Sequence, residues 1–120
     1  MKPQVGKLPG AALVARIRAE MAEENLEPDA REVELLSLAE DLADRIAELE
    51  KAIEVDGLTS TSKGGLVRLH PGVVEARQTR TALARVLSEI QMRDDSKNPV
   101  KQRAADTRWS SHNAAKRRVS

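Results

Sequence analysis

The sequence contains no cysteine, no phenylalanine and no tyrosine, and it has one tryptophan and two histidines. Without cysteine, the chain has no disulfide framework, no thiolate nucleophile and no cysteine-ligated metal site, which fits a cytoplasmic protein. With a single aromatic residue, its core must be built from aliphatic side chains. Because 32% of the residues are charged, so small a chain buries little apolar surface on its own, and we expect self-association.

Long apolar runs are also missing. The longest run near the N terminus, residues 11–15, is interrupted by Arg16. It is too short for the core of a signal peptide and much too short to span a bilayer. We therefore expect neither export nor membrane insertion.

The residues that could support catalysis are few and poorly placed. His70 and His112 fall in a predicted turn and a polar tail, without the spacing of metal ligands. The dense carboxylates over residues 40–50 are typical of a solvated helix face. Lys63-Gly64-Gly65 does not match a phosphate-binding loop, because the lysine precedes the glycines and a strand follows. We expect a protein that is not an enzyme and that binds no cofactor or metal.

The net charge of +1 conceals a strong separation of charge along the chain. Residues 28–56 have a net charge of −7, residues 57–93 of +4 and residues 94–120 of +4, whereas residues 1–27 are balanced. Such a separation favours contact between unlike surfaces of neighbouring copies. It also leaves a basic surface for phosphate groups.

Apolar residues at helical spacing predict three helices. The first, over residues 10–25, is short. The second has Pro28 and Asp29 in its first turn and ends before Gly57, where a glycine cap is expected. The third begins at Pro71 and extends to about residue 92.

The second helix carries an apolar stripe with an average spacing of 3.6 residues, so the stripe stays on one side of a straight helix. A strict heptad would place Arg45 and Ala52 on the seam, and a globular or ring-packed helix is therefore favoured over a long coiled coil. Together with the apolar side of the third helix, this stripe predicts the core and the oligomerisation surface. The residues are Leu35, Leu38, Leu42, Ile46, Leu49, Ile53, Leu83, Leu87 and Ile90.

The segment between the two long helices, residues 57–70, predicts a β-hairpin. Threonine and serine favour extended chain, Gly64-Gly65 suits a tight turn, and Leu66, Val67 and Leu69 would form the return strand. Because a two-stranded hairpin is marginally stable alone in water, we expect it to lie on the helices or on a neighbouring copy.

From Asp94 onward the helical pattern is lost. Ser96, Asn98 and Pro99 predict a linker, and the residues after it are polar and basic. The predicted organisation is a flexible leader over residues 1–9, a helical domain over residues 10–93 and a disordered basic tail over residues 94–120. The fold class is mainly α, with two long antiparallel helices joined by a hairpin.

Basic side chains near the end of the chain favour nucleic-acid binding through phosphate contacts. Trp109 is placed either to stack on a base or to anchor the tail on a partner protein. The candidate DNA contacts are Lys97, Lys101, Arg103, Arg108, Lys116, Arg117 and Arg118, with Lys63, Arg68, Lys7, Arg16 and Arg18 as secondary candidates.

An acidic helix, Gly57-Leu58-Thr59, Gly64-Gly65-Leu66-Val67 and a helix that opens with His70-Pro71 follow one another within residues 29–90. This order resembles the small subunit of tailed-phage terminases, in the short form found in phages of Gram-positive hosts. The resemblance implies a ring-forming helical protein that binds double-stranded viral DNA in the host cytoplasm. It also implies a partner, the large terminase subunit, which supplies ATPase and nuclease activity.

The resemblance further implies that the two long helices build the subunit core and ring contacts, and that the hairpin projects between subunits or into the channel. The chain has only one short helix before Pro28, so a full N-terminal helix-turn-helix domain is not expected.

Two other functions fit the same sequence. One is a helical scaffolding protein without a DNA role, for which the long helices and the acidic stripe suffice. The other is a small DNA-binding transcriptional regulator. A regulator predicts a dimer on a symmetric site, whereas a ring adaptor predicts a larger closed oligomer.

Overall fold

The structure is a computed structural model that describes residues 8–119, with backbone alone at residues 101, 102, 105 and 117–119. Most of the predicted leader, including Lys7, lies outside the described residues. The elements are α1 (Pro9–Glu23), α2 (Ala30–Asp56), β1 (Thr59–Thr61), β2 (Val67–Leu69), α3 (Pro71–Lys97) and α4 (Pro99–Val119). The prediction of a mainly helical chain with a small antiparallel sheet is confirmed.

Local capping signals set the limits of α2. The Asp29 carboxylate accepts a hydrogen bond from the Glu32 N–H at 2.9 Å, and the Glu32 carboxylate accepts one from the Asp29 N–H at 3.4 Å. This reciprocal capping box places Pro28 before the helix instead of in its first turn. At the other end, Gly57 has a φ of 89°, and α2 ends at Asp56 as predicted.

α1 contacts α2 through Gly10. The Gly10 N–H donates to Asp44 Oδ1 at 2.8 Å, and a Cβ at Gly10 would lie 2.2 Å from the Glu40 carbonyl oxygen. Glycine therefore permits the close approach of the two helices, while Asp44 satisfies one of the free N–H groups at the start of α1. α1 ends at Glu23, and Asn25, with a φ of 58°, turns the chain before Pro28 is reached.

The core lies where α1, α2 and α3 meet. At its centre, Leu36 and Ala39 of α2 contact Val86 and Ile90 of α3. Packed around them are Leu13, Val14, Ile17, Leu35, Leu42, Leu83 and Leu87. Since α1 has 15 residues and α2 has 27, α1 covers about half of α2. Within residues 8–119, the ends of α2 and α3 nearest the hairpin therefore have only each other as a helical neighbour.

Leu38, predicted to belong to the core and oligomerisation surface, is not part of the core of the single chain: its side chain is 47% exposed, whereas Leu36 and Ala39 are fully buried. α2 has two neighbouring apolar stripes, and its periodicity cannot choose between them. Contact with α1 on one side and α3 on the other buries the stripe that contains Leu36. The remaining α2 residues of the predicted stripe, Leu35, Leu42, Ile46, Leu49 and Ile53, are half-buried.

α3 is longer than predicted, and the predicted linker from Asp94 is wrong. The helix continues to Lys97, and Asp94 is buried. The interruption is a single residue, Asn98, whose extended backbone precedes Pro99. The periodic apolar pattern ends before Asp94 because the last turn of α3 packs through polar side chains instead of apolar ones.

Residues 99–119 form α4, where the sequence predicted an irregular tail. The described side chains of α4 are exposed, apart from a half-buried Asn113. The chain has a radius of gyration of 20.9 Å, whereas a compact domain of this length would have about 14 Å. α4 is therefore an outlying helix and adds nothing to the core.

Lys97 joins the end of α3 to the start of α2. Its ammonium group forms an ion pair with the fully buried Glu32 and lies 3.0 Å from Asp29 Oδ2. The hydrogen bond from Lys97 lowers the pKa of Asp29 below its ordinary value of 3.8. The contribution of Asp29 to stability is therefore present above that pH, and it is lost as the pH falls through the lowered pKa.

We predict that Lys97→Met destabilises the helical domain, because the buried Glu32 carboxylate loses its ionic partner. An uncompensated buried charge costs about 3–5 kcal/mol, and since the Lys97 side chain is 31% exposed we expect about 2–3 kcal/mol. Urea unfolding at neutral pH measures the change in the free energy of unfolding. Lys116→Met removes the same charge from an exposed position on α4 and serves as the control. Equal stability of the two variants would contradict the assignment.

Candidate nucleic-acid interface

The side of α3 that faces away from α2 is basic. Arg77, Thr81 and Arg85 follow one another at four-residue spacing, so they share one side of the helix. Together with Gln78 and Ala82 they line a shallow surface groove. Residues 76–88 contain three arginines and no carboxylate. The groove lining therefore contains two guanidinium groups and no carboxylate, and Glu89, the next residue along this side of α3, is paired with Arg93.

The third arginine of this segment has a different role. Arg80 forms an ion pair with Glu50 of α2 and so connects the two long helices. Neither Arg77 nor Arg85 forms an ion pair with a described residue. These two side chains are therefore the ones that can contact phosphate.

α2 carries the opposite charge on its own outer side. Glu34, Asp41 and Glu48 are exposed and follow one another at intervals of seven residues, so they form an acidic line along the helix. The two long helices thus separate charge across the molecule. A polyanion is repelled by α2 and attracted by the outer side of α3.

α4 is the most basic helix. It has six lysines and arginines and one carboxylate, Asp106. Arg103, Arg108 and Lys116 are exposed, and Trp109 is exposed among them. Lys101, Arg117 and Arg118 lie on the same helix, but their side chains are outside the described residues. The structure therefore places most of the predicted tail contacts on one helix.

The remaining candidates lie elsewhere. Lys97 is held between Glu32 and Asp29, so its charge is already neutralised, and we remove it from the candidate DNA contacts. Arg16 lines a groove between α1 and α3 that also contains Glu20, Glu23, Glu24 and Asp94. Arg18 is exposed on α1.

The hairpin carries the last two candidates, Lys63 and Arg68, both exposed. It joins the start of α3, whereas α4 follows the end of α3, and 27 helical residues span about 40 Å. The structure therefore separates Lys63 and Arg68 from the start of α4 by the full length of α3. These two groups of basic residues form separate surfaces.

The hairpin does not lie on the helices of its own chain. Thr59 pairs with Leu69 and Thr61 with Val67, and Gly65, with a φ of 85°, closes the turn. Every residue from 57 to 69 is exposed. Its large apolar side chains, Leu58, Leu66, Val67 and Leu69, are 50–61% exposed.

His70 links the hairpin to both long helices. Its Nδ1 accepts a hydrogen bond from the Gly72 N–H at 2.9 Å, so the ring proton lies on Nε2, which donates to Asp56 Oδ2 at 2.9 Å. His70 is therefore the N-cap of α3, a more specific role than the turn residue predicted from sequence. The contact joins the last residue of α2 to the first turn of α3.

Among residues 8–119, no group of three or more histidine and carboxylate side chains is placed to hold a metal ion. No helix in the same part of the chain is long and apolar enough to cross a membrane.

No known protein family, curated protein or solved structure matches the chain. The function is therefore inferred from the residues themselves. Arg77 and Arg85 are not among the DNA contacts predicted from the sequence. The absence of carboxylates from residues 76–88 is the signal that identifies them.

We predict that Arg77→Gln combined with Arg85→Gln weakens duplex DNA binding, because two phosphate contacts are lost. The slope of log K against log salt should decrease in magnitude by about two. Fluorescence anisotropy at several salt concentrations measures both effects. Arg16→Gln with Arg18→Gln makes the same change of charge on α1, next to Glu20, Glu23 and Glu24, and should have a smaller effect. If the two double variants behave alike, the α3 groove is not a specific contact.

Proposed function

We propose that this protein is a DNA-packaging adaptor of the terminase small-subunit type. It is not an enzyme: it binds double-stranded viral DNA, self-associates and presents the DNA to a large subunit that supplies ATPase and nuclease activity. The observation that carries the proposal is the charge separation, in which α4 and one side of α3 are basic whereas the outer side of α2 is acidic. The order of elements that resembles small terminases adds to it.

The low stability of α4 without a ligand supports a role in DNA binding. An isolated helix of 21 residues is only marginally stable in water, and most helices depend on packing of an apolar side. α4 is polar on all sides and gains no such cover from its own core. Its like charges also repel one another. DNA phosphates neutralise these charges and release counterions, so binding stabilises the helix and depends strongly on salt.

The hairpin supports self-association. Its four exposed apolar side chains and the two open edges of a two-stranded sheet are surfaces that monomeric proteins rarely leave uncovered. Contact with a neighbouring copy covers them. A contact between unlike surfaces of successive copies produces a closed ring when the rotation between copies is suitable.

The acidic side of α2 supports a protein partner. Glu34 and Asp41 repel DNA, whereas Glu48 is paired with Arg45, so this side stays accessible when DNA occupies α3 and α4. A large terminase subunit in the host cytoplasm could bind the complex there without competing with DNA.

A helical scaffolding protein is the second candidate, and the exposed hairpin favours it. It shares self-association with the adaptor but does not bind DNA. A transcriptional regulator would instead bind as a dimer to a symmetric site. Mass in solution together with DNA affinity distinguishes the three functions.

Deletion of residues 99–120 tests the role of α4 and retains the structural Lys97. We predict an unchanged free energy of unfolding, because α4 lies outside the core, and at least about a tenfold loss of duplex affinity, since six cations are removed. Anisotropy at two salt concentrations measures binding, and urea unfolding provides the control. Unchanged DNA binding would exclude α4 as the main contact.

Val67→Ser combined with Leu69→Ser tests the role of the hairpin. Both side chains are exposed in the single chain, so the free energy of unfolding measured at low protein concentration should change by less than about 0.5 kcal/mol. Light scattering after size exclusion should show a smaller oligomer than the wild type. Lys63→Ser, in the turn of the same hairpin, is the control and should leave the mass unchanged. An unchanged mass in the double variant would contradict hairpin-mediated association.

A further inference from the structure

Trp109 is the only aromatic residue other than histidine in the chain, and it takes no part in the core. It lies on α4 and is 66% exposed. The His112 ring stacks on it at a centroid distance of 5.8 Å and an interplanar angle of 25°. The large indole ring of Trp109 is thus exposed to solvent and stacked on a neighbouring ring, on the most basic helix of the protein.

The surroundings of Trp109 are cationic and polar. Arg108 precedes it on the neighbouring side of α4, and Lys116, seven residues further along, lies on the same side as Trp109; both are exposed. Three and four positions away in either direction are Ala105, Asp106, His112 and Asn113. No large apolar residue is among them.

These surroundings do not suit a contact with another protein. The centre of a protein interface combines an aromatic anchor with other apolar side chains and excludes most charge. Around Trp109, α4 offers cations, small polar groups and one carboxylate, Asp106. A ligand that matches them has a flat π-surface and negative charge, and a nucleotide has both.

We propose that Trp109 and His112 form a stacking platform for an unpaired nucleobase, with Arg108 and Lys116 contacting the adjoining phosphates. The inference rests on the proposed DNA-binding function and specifies the class of ligand. In duplex DNA each base is stacked on its neighbours, so an indole ring cannot stack on it without opening the helix. Trp109 therefore favours single-stranded segments and frayed ends. Because every base has a π-face, the contact tolerates any sequence.

His112 restricts the conformation of the Trp109 side chain. Its ring restricts the rotation of the indole, so less side-chain entropy is lost when a base stacks on the open face of Trp109. α4 thus combines two kinds of contact. Its cations bind phosphate in single-stranded or double-stranded DNA, whereas Trp109 adds affinity for exposed bases alone.

The single tryptophan makes a direct measurement possible. The full chain is titrated with oligothymidylate and with a DNA duplex that has the same number of phosphates, and tryptophan fluorescence is recorded. We expect strong quenching by oligothymidylate and little by the duplex. Since no other tryptophan is present, any quenching reports on position 109.

Binding of labelled DNA is then compared between variants by anisotropy. Trp109→Ala should bind oligothymidylate at least about fivefold more weakly, whereas its duplex affinity should stay within twofold of the wild type. Trp109→Phe should recover part of the loss, because phenylalanine also stacks. Val100→Ala shortens another exposed apolar side chain of α4, 69% exposed, and should bind both DNAs like the wild type.

The outcomes separate this inference from the proposed function. Equal binding of oligothymidylate by Trp109→Ala and the wild type overturns the stacking platform, while duplex binding by both keeps the DNA-binding function. Absence of binding to either DNA overturns both. A fluorescence change with protein concentration alone, with a lower mass for Trp109→Ala, would show that Trp109 contacts a second copy, and would also overturn the platform.

Discussion

The antiparallel pairing of α2 and α3 is the constraint on which the other features depend. One polar contact closes it at each end: an ion pair of Lys97 with the buried Glu32 at one end, and a hydrogen bond from His70 to Asp56 at the other. α3 cannot slide along α2 without separating one of these pairs. The hairpin and α4 are therefore held at opposite ends of α3, about 40 Å apart.

The small core has consequences for the surface. α1 covers only part of the α2–α3 pair, and the one large aromatic side chain, Trp109, lies on α4 outside the core. Both long helices therefore keep one side in solvent, one acidic and one basic, and the hairpin keeps its apolar side chains exposed. The same shortage of buried apolar area that favours self-association also leaves charged surfaces accessible to DNA and to a protein partner.

Element limits could be predicted where a local signal acts within one helical turn. Gly57 ended α2 and Pro71 began α3 as expected. The end of α3 could not be predicted, because Lys97 meets Glu32 across 65 positions of the chain. Hydrophobic periodicity detects only apolar side chains, and it misses this contact because the contact is ionic. Because the same contact neutralises the charge of Lys97, this residue is no longer a candidate DNA contact, although its residue type alone had suggested one.

The sequence by itself determined the helical character of the chain, the charge separation and the basic residues of α4, because these depend on residue type and on spacing within one element. Only the tertiary structure decided that Leu36 instead of Leu38 is buried, that the hairpin is uncovered and that Arg77 and Arg85 face solvent without ionic partners among the described residues. The physical reason is that burial and ion pairing depend on which other element lies against a residue. That arrangement follows from the packing of all the helices together.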